Sequence, residues 1–178
     1  MHALVIFESM FGNTRVIAEA IADGLSSRIE TDIVEVGAAP NVIDDDVGLF
    51  VVGGPTHAFG MSRPGTRKAA AEQAVEDAVS SRIGQREWLD ALERGSGNVA
   101  AAAFDTRIDK PHWLVGSAAR AVEKRLRRLG FRIISASQSF YVAGTPGPLL
   151  EGEAERARRW GLELASEYLE DEEGRQAS

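Results

Sequence analysis

Two short segments gather the residues of this sequence that can do chemistry. The first, Glu8 to Thr14, reads ESMFGNT and follows the apolar run ALVIF, Ala3 to Phe7. A strand that passes directly into a helix brings its backbone N–H groups to a helix N-terminus, where four donors lack intrahelical partners. That is an anion site. Gly12 permits a tight turn or a positive φ, and the side chains of Ser9, Asn13 and Thr14 can add hydrogen bonds to phosphate oxygens. The helix dipole contributes only about 0.3–1 kcal/mol at exposed sites. Each hydrogen bond to a charged acceptor contributes about 1.5–3 kcal/mol. The same residues also suit a plain N-cap with a glycine turn, an arrangement common in any α/β protein, so the loop taken alone favours an anion only weakly. The second segment, Gly53 to Met61, reads GGPTHAFGM and follows another apolar run.

Other phosphate-binding patterns fit poorly. A nucleotide-hydrolysing loop needs a lysine after its last glycine, and Asn13 follows Gly12 here. A dinucleotide fingerprint needs three spaced glycines, and the loop has one. A phospho-acceptor site would place clustered acids at the ends of the first and third strands. The third ends in Gly53 and Gly54, leaving Glu8 as the acid from the first.

The elements that must position these segments alternate along the chain. Ala3 to Phe7 has the length and continuity of a strand buried on both faces. From Asn13, the residues Ile17, Ala20, Ile21 and Leu25 recur at helical spacing, with Asn13 or Thr14 available as N-cap. Asp32 to Val36 reads as a second strand at or near a sheet edge, because Glu35 sits inside it. Gly48 to Gly54 is a third. Arg63 to Gly95 is helical by composition, with a break near Gly84. Asn98 to Phe104 is mostly alanine, yet its length and flanking turn residues favour a strand. Val115, Ala118, Ala119, Val122, Leu126 and Leu129 form one apolar helical stripe. Arg132 to Val142 is a fifth strand, and Ala157, Trp160, Leu164, Ala165 and Tyr168 mark a final helix. One domain over residues 1–170 is expected, followed by a frayed polar tail over 171–178. Five strand–helix alternations predict an α/β fold: a three-layer, doubly wound sandwich around a five-stranded parallel sheet of flavodoxin-like order 2-1-3-4-5. Ligands then lie beyond the carboxyl ends of strands 1 and 3. The loops Glu8 to Thr14, Gly53 to Arg63 and Phe104 to Trp113 meet there.

Composition narrows the chemistry. The 178 residues, 44% of them hydrophobic, are enough for one full core. Twenty Lys plus Arg against 27 Asp plus Glu leave a net charge of −7, which disfavours nucleic acid or an anionic membrane surface. KRLRR, Lys124 to Arg128, reads as a solvated helix face. The absence of cysteine excludes disulfides, thiolate nucleophiles and cysteine-ligated metal or iron–sulfur centres. His2, His57 and His112 are scattered without a carboxylate at ligand spacing, so no metal site is expected. No apolar stretch approaches the ~18 residues of a membrane span and no basic region precedes Ala3, so a cytoplasmic location without membrane insertion is expected.

ESMFGNT leading into a helix, together with GGPTHAFGM after the third strand, resembles the flavodoxin family over nearly the whole chain. Ser-Met-aromatic-Gly in the first loop and Pro-Thr-x-x-x-Gly-Met in the second also resemble the flavodoxin-like NAD(P)H:quinone oxidoreductases. The implied cofactor is FMN. By that resemblance, Ser9, Met10, Phe11, Gly12, Asn13 and Thr14 surround its phosphate. Pro55, Thr56, His57, Ala58, Phe59 and Gly60 line one side of the ring, with Gly60 free to let a peptide reorient near N5. Phe104, Asp105, Thr106 and Arg107 approach the pyrimidine end, with Asp105 accepting from N3–H and Arg107 offsetting charge on the reduced ring. Flavodoxins commonly sandwich the ring between a tryptophan and a tyrosine, which are absent from those places here; Phe59 and Trp113, then His57 and His112, are the nearest planar substitutes.

The resemblance implies an FMN-bound electron carrier that docks against a redox partner protein with a basic face. The alternatives are an NAD(P)H-dependent FMN quinone reductase and a flavin-free interaction module. No residue stands out as a general acid or base, as expected where a flavin carries the chemistry. An autonomous reductase turns over with NAD(P)H and quinone alone, which separates it from a carrier; the oligomeric state is left open.

Overall fold

An apolar run flanked by other strands can lose water on both faces, and the chain is built from such runs. The computed structural model describes residues 2–44, 46–57, 60–73, 83–94 and 98–177. Strand β1 (His2–Phe7) lies between β2 (Glu30–Glu35) and β3 (Val47–Pro55), and β3 pairs in turn with β4 (Ala100–Ile108), all parallel. Both β5 (Arg132–Ile133) and β6 (Gln138–Val142) pair parallel with β4, giving the order β2-β1-β3-β4-β5. The predicted order 2-1-3-4-5 is the observed one.

Side-chain alternation along the strands creates two cores. Ala3, Val5 and Phe7 pack with Ala102, Phe104, Ile17, Ile21 and Leu164. On this face lie α1 (Asn13–Ser26) and α6 (Glu153–Gln176). Leu4 and Ile6 pack with Phe50, Val52, Trp88 and Leu126 on the opposite face. There the cover comes from α3 (Gln85–Ala91) and α5 (Ala118–Arg128). Helices α2 (Pro64–Gln73) and α4 (His112–Val115) complete the described elements. Helices α1 and α6 meet backbone to backbone. A β-carbon on Gly161 would fall 2.3 Å from the Ile21 carbonyl oxygen, and one on Gly24 would fall 2.1 Å from that of Arg158. Gly161→Ala must push the helices apart, so denaturant unfolding is expected to register a loss of about 1–3 kcal/mol; an unchanged midpoint would contradict this contact.

Three boundaries differ from the sequence reading. The fifth strand is two strands, because β4 advances from Ala101 to Phe104 while its partner advances from Ile133 to Gln138. The two extra residues form a bulge, and the Ser137 N–H donates to the Glu123 carboxylate of α5 instead of to the sheet. Val115 leaves the α5 stripe, because Gly116 at φ 74° and the N-cap Ser117 break the helix before it starts. The polar C-terminal segment continues α6 to Gln176, where ion pairs from Arg132 to Asp171 and Glu172 hold it. The predicted break near Gly84 is the start of α3, while residues 74–82 lie outside the described ones. Among the described residues no helix is long and apolar enough to cross a membrane.

Candidate functional site

The loop Glu8–Gly12 leaves the end of β1 and turns directly into α1. Gly12 occupies the left-handed region at φ 86°, a conformation that costs glycine nothing, and its carbonyl accepts the first helical bond from Val16 N–H at 3.1 Å. The Ser9 hydroxyl caps the helix by accepting from Arg15 N–H at 3.3 Å. The backbone N–H groups of Met10, Phe11, Gly12, Asn13 and Thr14 donate to no group among the described residues. This is a nest of donors at the positive end of a 14-residue helix. Its shape is fixed from outside: Asn13 Nδ2 donates to the Pro146 carbonyl at 3.1 Å, and the Thr14 and Thr106 hydroxyls lie 2.7 Å apart.

A cavity of about 290 Å³ opens beside this nest, at the carboxyl ends of β1, β3 and β4. Of the predicted site residues, Met10, Phe11, Asn13, Thr14, Pro55, Thr56, His57, Thr106 and Arg107 line it. Ile108, Leu114, Val115, Val142 and Thr145 complete the wall and were missed by the sequence reading. Leu114 and Val115 carried no signal beyond their apolar character, and Val142 and Thr145 enter only because β6 joins the sheet next to β4. The walls are mainly hydrophobic while the nest and the Thr106 hydroxyl sit at one end. A flat apolar ring bearing a phosphate matches that distribution.

Two predicted contacts are corrected. Phe104 is fully buried in the core, edge-on to Phe140 with centroids 6.3 Å apart, and fills the space over Gly53. It faces α1 and α6 because it alternates in register with Ala102. Asp105, one residue on, points to the opposite face. Its Oδ2 accepts from Ser117 Oγ at 2.7 Å, Ala119 N–H at 2.9 Å and Thr56 Oγ1 at 3.0 Å. Asp105 therefore positions Thr56 and caps α5 and is not itself a cavity residue. Gly60 pairs with His57 through two backbone bonds of 2.8 and 3.0 Å, which folds the second loop back on itself. Ala58 and Phe59 lie outside the described residues. Trp113 is 73% exposed at the rim and does not line the cavity.

Behind the cavity lies a buried polar cluster. The Glu8 carboxylate accepts from Ser62 Oγ and from Gln85 N–H at 2.8 Å, and Ser62 Oγ accepts from Arg67 Nη1 at 3.1 Å. Arg67 also pairs with Glu87. Burial pushes the Glu8 carboxyl up against the opposing pull of Ser62, Gln85 and Arg67. Burial, aided by Arg67, pushes His57 down. Its Nε2 is buried without a partner among the described residues. A histidine depressed on folding contributes stability that is present above its ordinary value of about 6.5 and lost as pH falls through its lower folded value. His57→Asn should therefore flatten the fall in denaturant stability on the acid side of pH 6.5; an unaltered slope would show that His57 charges freely.

No match to the chain is found among curated protein sequences. Solved structures of the same fold are distant in sequence. An oxidised flavodoxin from Bacillus cereus is 17% identical with a TM-score of 0.64, the match covering 96% of this chain and 98% of that one. A flavodoxin described as WrbA-like, from Agrobacterium tumefaciens, is 15% identical with a TM-score of 0.58, covering 95% and 98% respectively. A flavodiiron core from Synechocystis is 15% identical with a TM-score of 0.61, and this chain spans 36% of it. The family model for flavodoxin matches residues 5–160, which contain the nest, the second loop and every strand that borders the cavity. With sheet order, donor nest and family model in agreement, the chain belongs to the flavodoxin family.

Proposed function

We propose that the cavity binds FMN and that the protein is an electron-transfer carrier. The observation that carries this reading is the run of N–H groups from Met10 to Thr14, unpartnered among the described residues, opening onto an apolar cavity. A phosphate there would accept several charge-assisted bonds, and the ring would lie between Met10, Phe11 and Pro55 on one side and Ile108, Leu114 and Val115 on another. FMN, when bound, supplies the redox chemistry. The residues of the chain would exclude water from the ring and present His57 and Thr56 to it, and they hold the Arg107 guanidinium at the wall. Its Nη1 donates to the Lys110 carbonyl at 2.5 Å, which keeps the cation from swinging into solvent. The net charge of −7 favours a redox partner with a basic docking face and a salt-dependent encounter.

The test is the visible absorption spectrum after incubation with excess FMN and removal of unbound ligand. Near-stoichiometric flavin bands support the reading, and a colourless protein refutes it. A second reading, an NAD(P)H-dependent quinone reductase, draws on the open rim, where Trp113 and Leu114 stand 73% and 46% exposed beside the cavity and leave room for a second planar molecule. Turnover of NAD(P)H and quinone without any protein partner would select it.

A further inference from the structure

A second concavity of about 220 Å³ adjoins the first, across the open edge of β6. Arg107, Arg120, Arg156, Ser117, Ser139 and Tyr141 line it, with no acidic residue among its walls. This is unexpected in a chain with seven more acids than bases. The nearby carboxylates are already engaged. Glu153 holds Arg156 and the Tyr141 N–H, Glu123 holds Arg127 and Ser137, and Asp105 sits behind Ser117. Arg107 and Arg120 have no carboxylate partner among the described residues, so two of the three arginines that line the groove carry uncompensated charge into it, while Arg156 is paired with Glu153. Among the described residues, Arg107 Nε is buried without an acceptor and the side chains of Arg120 and Ser139 make no hydrogen bond.

The groove is shaped as well as charged. Arg107 lies 5.2 Å from the Tyr141 ring centroid and its Nη2 donates to the Tyr141 hydroxyl at 3.5 Å, while Arg156 stacks over Phe140 at 4.5 Å and donates to the Ser139 carbonyl at 2.6 Å. Two guanidinium groups are thus pre-oriented on aromatic faces, with the Arg120 side chain and the Ser139 hydroxyl free among the described residues to close on an anion, while Ser117 spends its proton on Asp105. Planar forks and hydroxyls of this kind recognise tetrahedral oxyanions. A concavity of this size holds a phosphate together with part of the sugar that carries it.

We propose that this groove is a phosphate subsite, taking a phosphate monoester on the far side of Arg107 from the larger cavity. The same chemistry is offered by the 2′-phosphate of a phosphorylated nicotinamide dinucleotide and by free phosphate. Occupancy of the groove does not require flavin; its use to anchor a reductant rests on the flavin reading above.

Isothermal titration calorimetry on the full chain, with and without FMN, tests this with NADP+, NAD+ and inorganic phosphate as probes. The expected result is NADP+ bound at least ~tenfold more tightly than NAD+, with the preference lost in Arg120→Ala and largely kept in Arg120→Lys. Arg120 is exposed and makes no side-chain contact that the fold needs, and Arg159→Ala, which removes the same charge elsewhere on the surface, should leave the preference intact. Inorganic phosphate bound in an Arg120-dependent way without a preference for NADP+ supports the subsite and assigns it to free phosphate. Absence of binding by both NADP+ and phosphate, or binding indifferent to Arg120, overturns the proposal, and does so whether or not the flavin spectrum is positive.

Discussion

Replacing Arg67 by methionine is expected to destabilise the protein by about 3–5 kcal/mol, because it removes one partner from a buried ionic cluster and leaves the others uncompensated. Arg67 is 5% exposed, and its guanidinium reaches Ser62 Oγ and Glu87 at 3.1 Å. The Glu8 carboxylate, 1% exposed, then loses the Arg67 cation that opposes the cost of its burial. Glu8 already sits above the ordinary carboxylate range, so its contribution to stability is full below that range and is lost as pH rises through the raised value. Without Arg67 that value rises further. The defect in Arg67→Met should accordingly be larger at pH 7.5 than at pH 5. Glu8→Gln in the Arg67→Met background should recover part of it, because a neutral amide carries no uncompensated charge. Denaturant melts of the two single variants and the double variant check this. A cost below about 1 kcal/mol, or strictly additive single effects, would mean that the cluster is solvated like an ordinary surface ion pair. A second readout ties the cluster to the site: His57 is held down partly by Arg67 and lines the cavity, so its NMR titration should move up in Arg67→Met.

None of that cluster was visible in the sequence. Glu8 could be placed at the carboxyl end of β1 from the apolar run before it, but Ser62 from the second loop, Arg67 from α2 and Gln85 from α3 reach it only through the tertiary fold. Strand and helix order, by contrast, was legible because continuous apolar runs of strand length, bounded by turn residues and alternating with stretches of helical period, fit strands buried between other strands. The first loop was legible for the same reason. Its residues are contiguous, and the strand-to-helix turn alone dictates where its N–H groups point. The third segment was legible at Thr106 and Arg107, which line the cavity, and illegible at Phe104 and Asp105, where a period of two decides the outcome. Phe104 and Asp105 are adjacent in sequence and therefore lie on opposite faces of β4. The bulge after Ile133 is set by the Glu123 carboxylate across a helix, which no local pattern encodes.

Asn13→Asp is expected to weaken FMN binding by at least ~100-fold while changing the stability of the apoprotein by no more than about 1 kcal/mol, because the lost bond to Pro146 and the gain at the helix dipole oppose each other. This disparity separates a phosphate site from a simple helix cap. Asn13 is the first residue of α1, where a carboxylate interacts favourably with the helix dipole by about 0.3–1 kcal/mol. If the nest holds nothing, the substitution costs no more than the bond to Pro146, offset by the dipole. If it holds a phosphate, a negative charge about 4 Å from it repels each unit of phosphate charge by about 4 kcal/mol at an effective dielectric of 20, and screening at this half-buried position leaves a large part of that. The substitution also removes the Nδ2 donor that ties the loop to Pro146. Asn13→Ala isolates that second loss, which is about 0.5–1.5 kcal/mol and so about tenfold or less in affinity. Raising the salt concentration should narrow the gap between the aspartate and alanine variants, because only the charge effect is screened. Fluorescence quenching titrations with FMN at two ionic strengths, alongside thermal melts of the apoproteins, provide the comparison. Equal FMN affinity in Asn13→Asp and Asn13→Ala would place the phosphate elsewhere and reduce the loop to the cap that its sequence also permits.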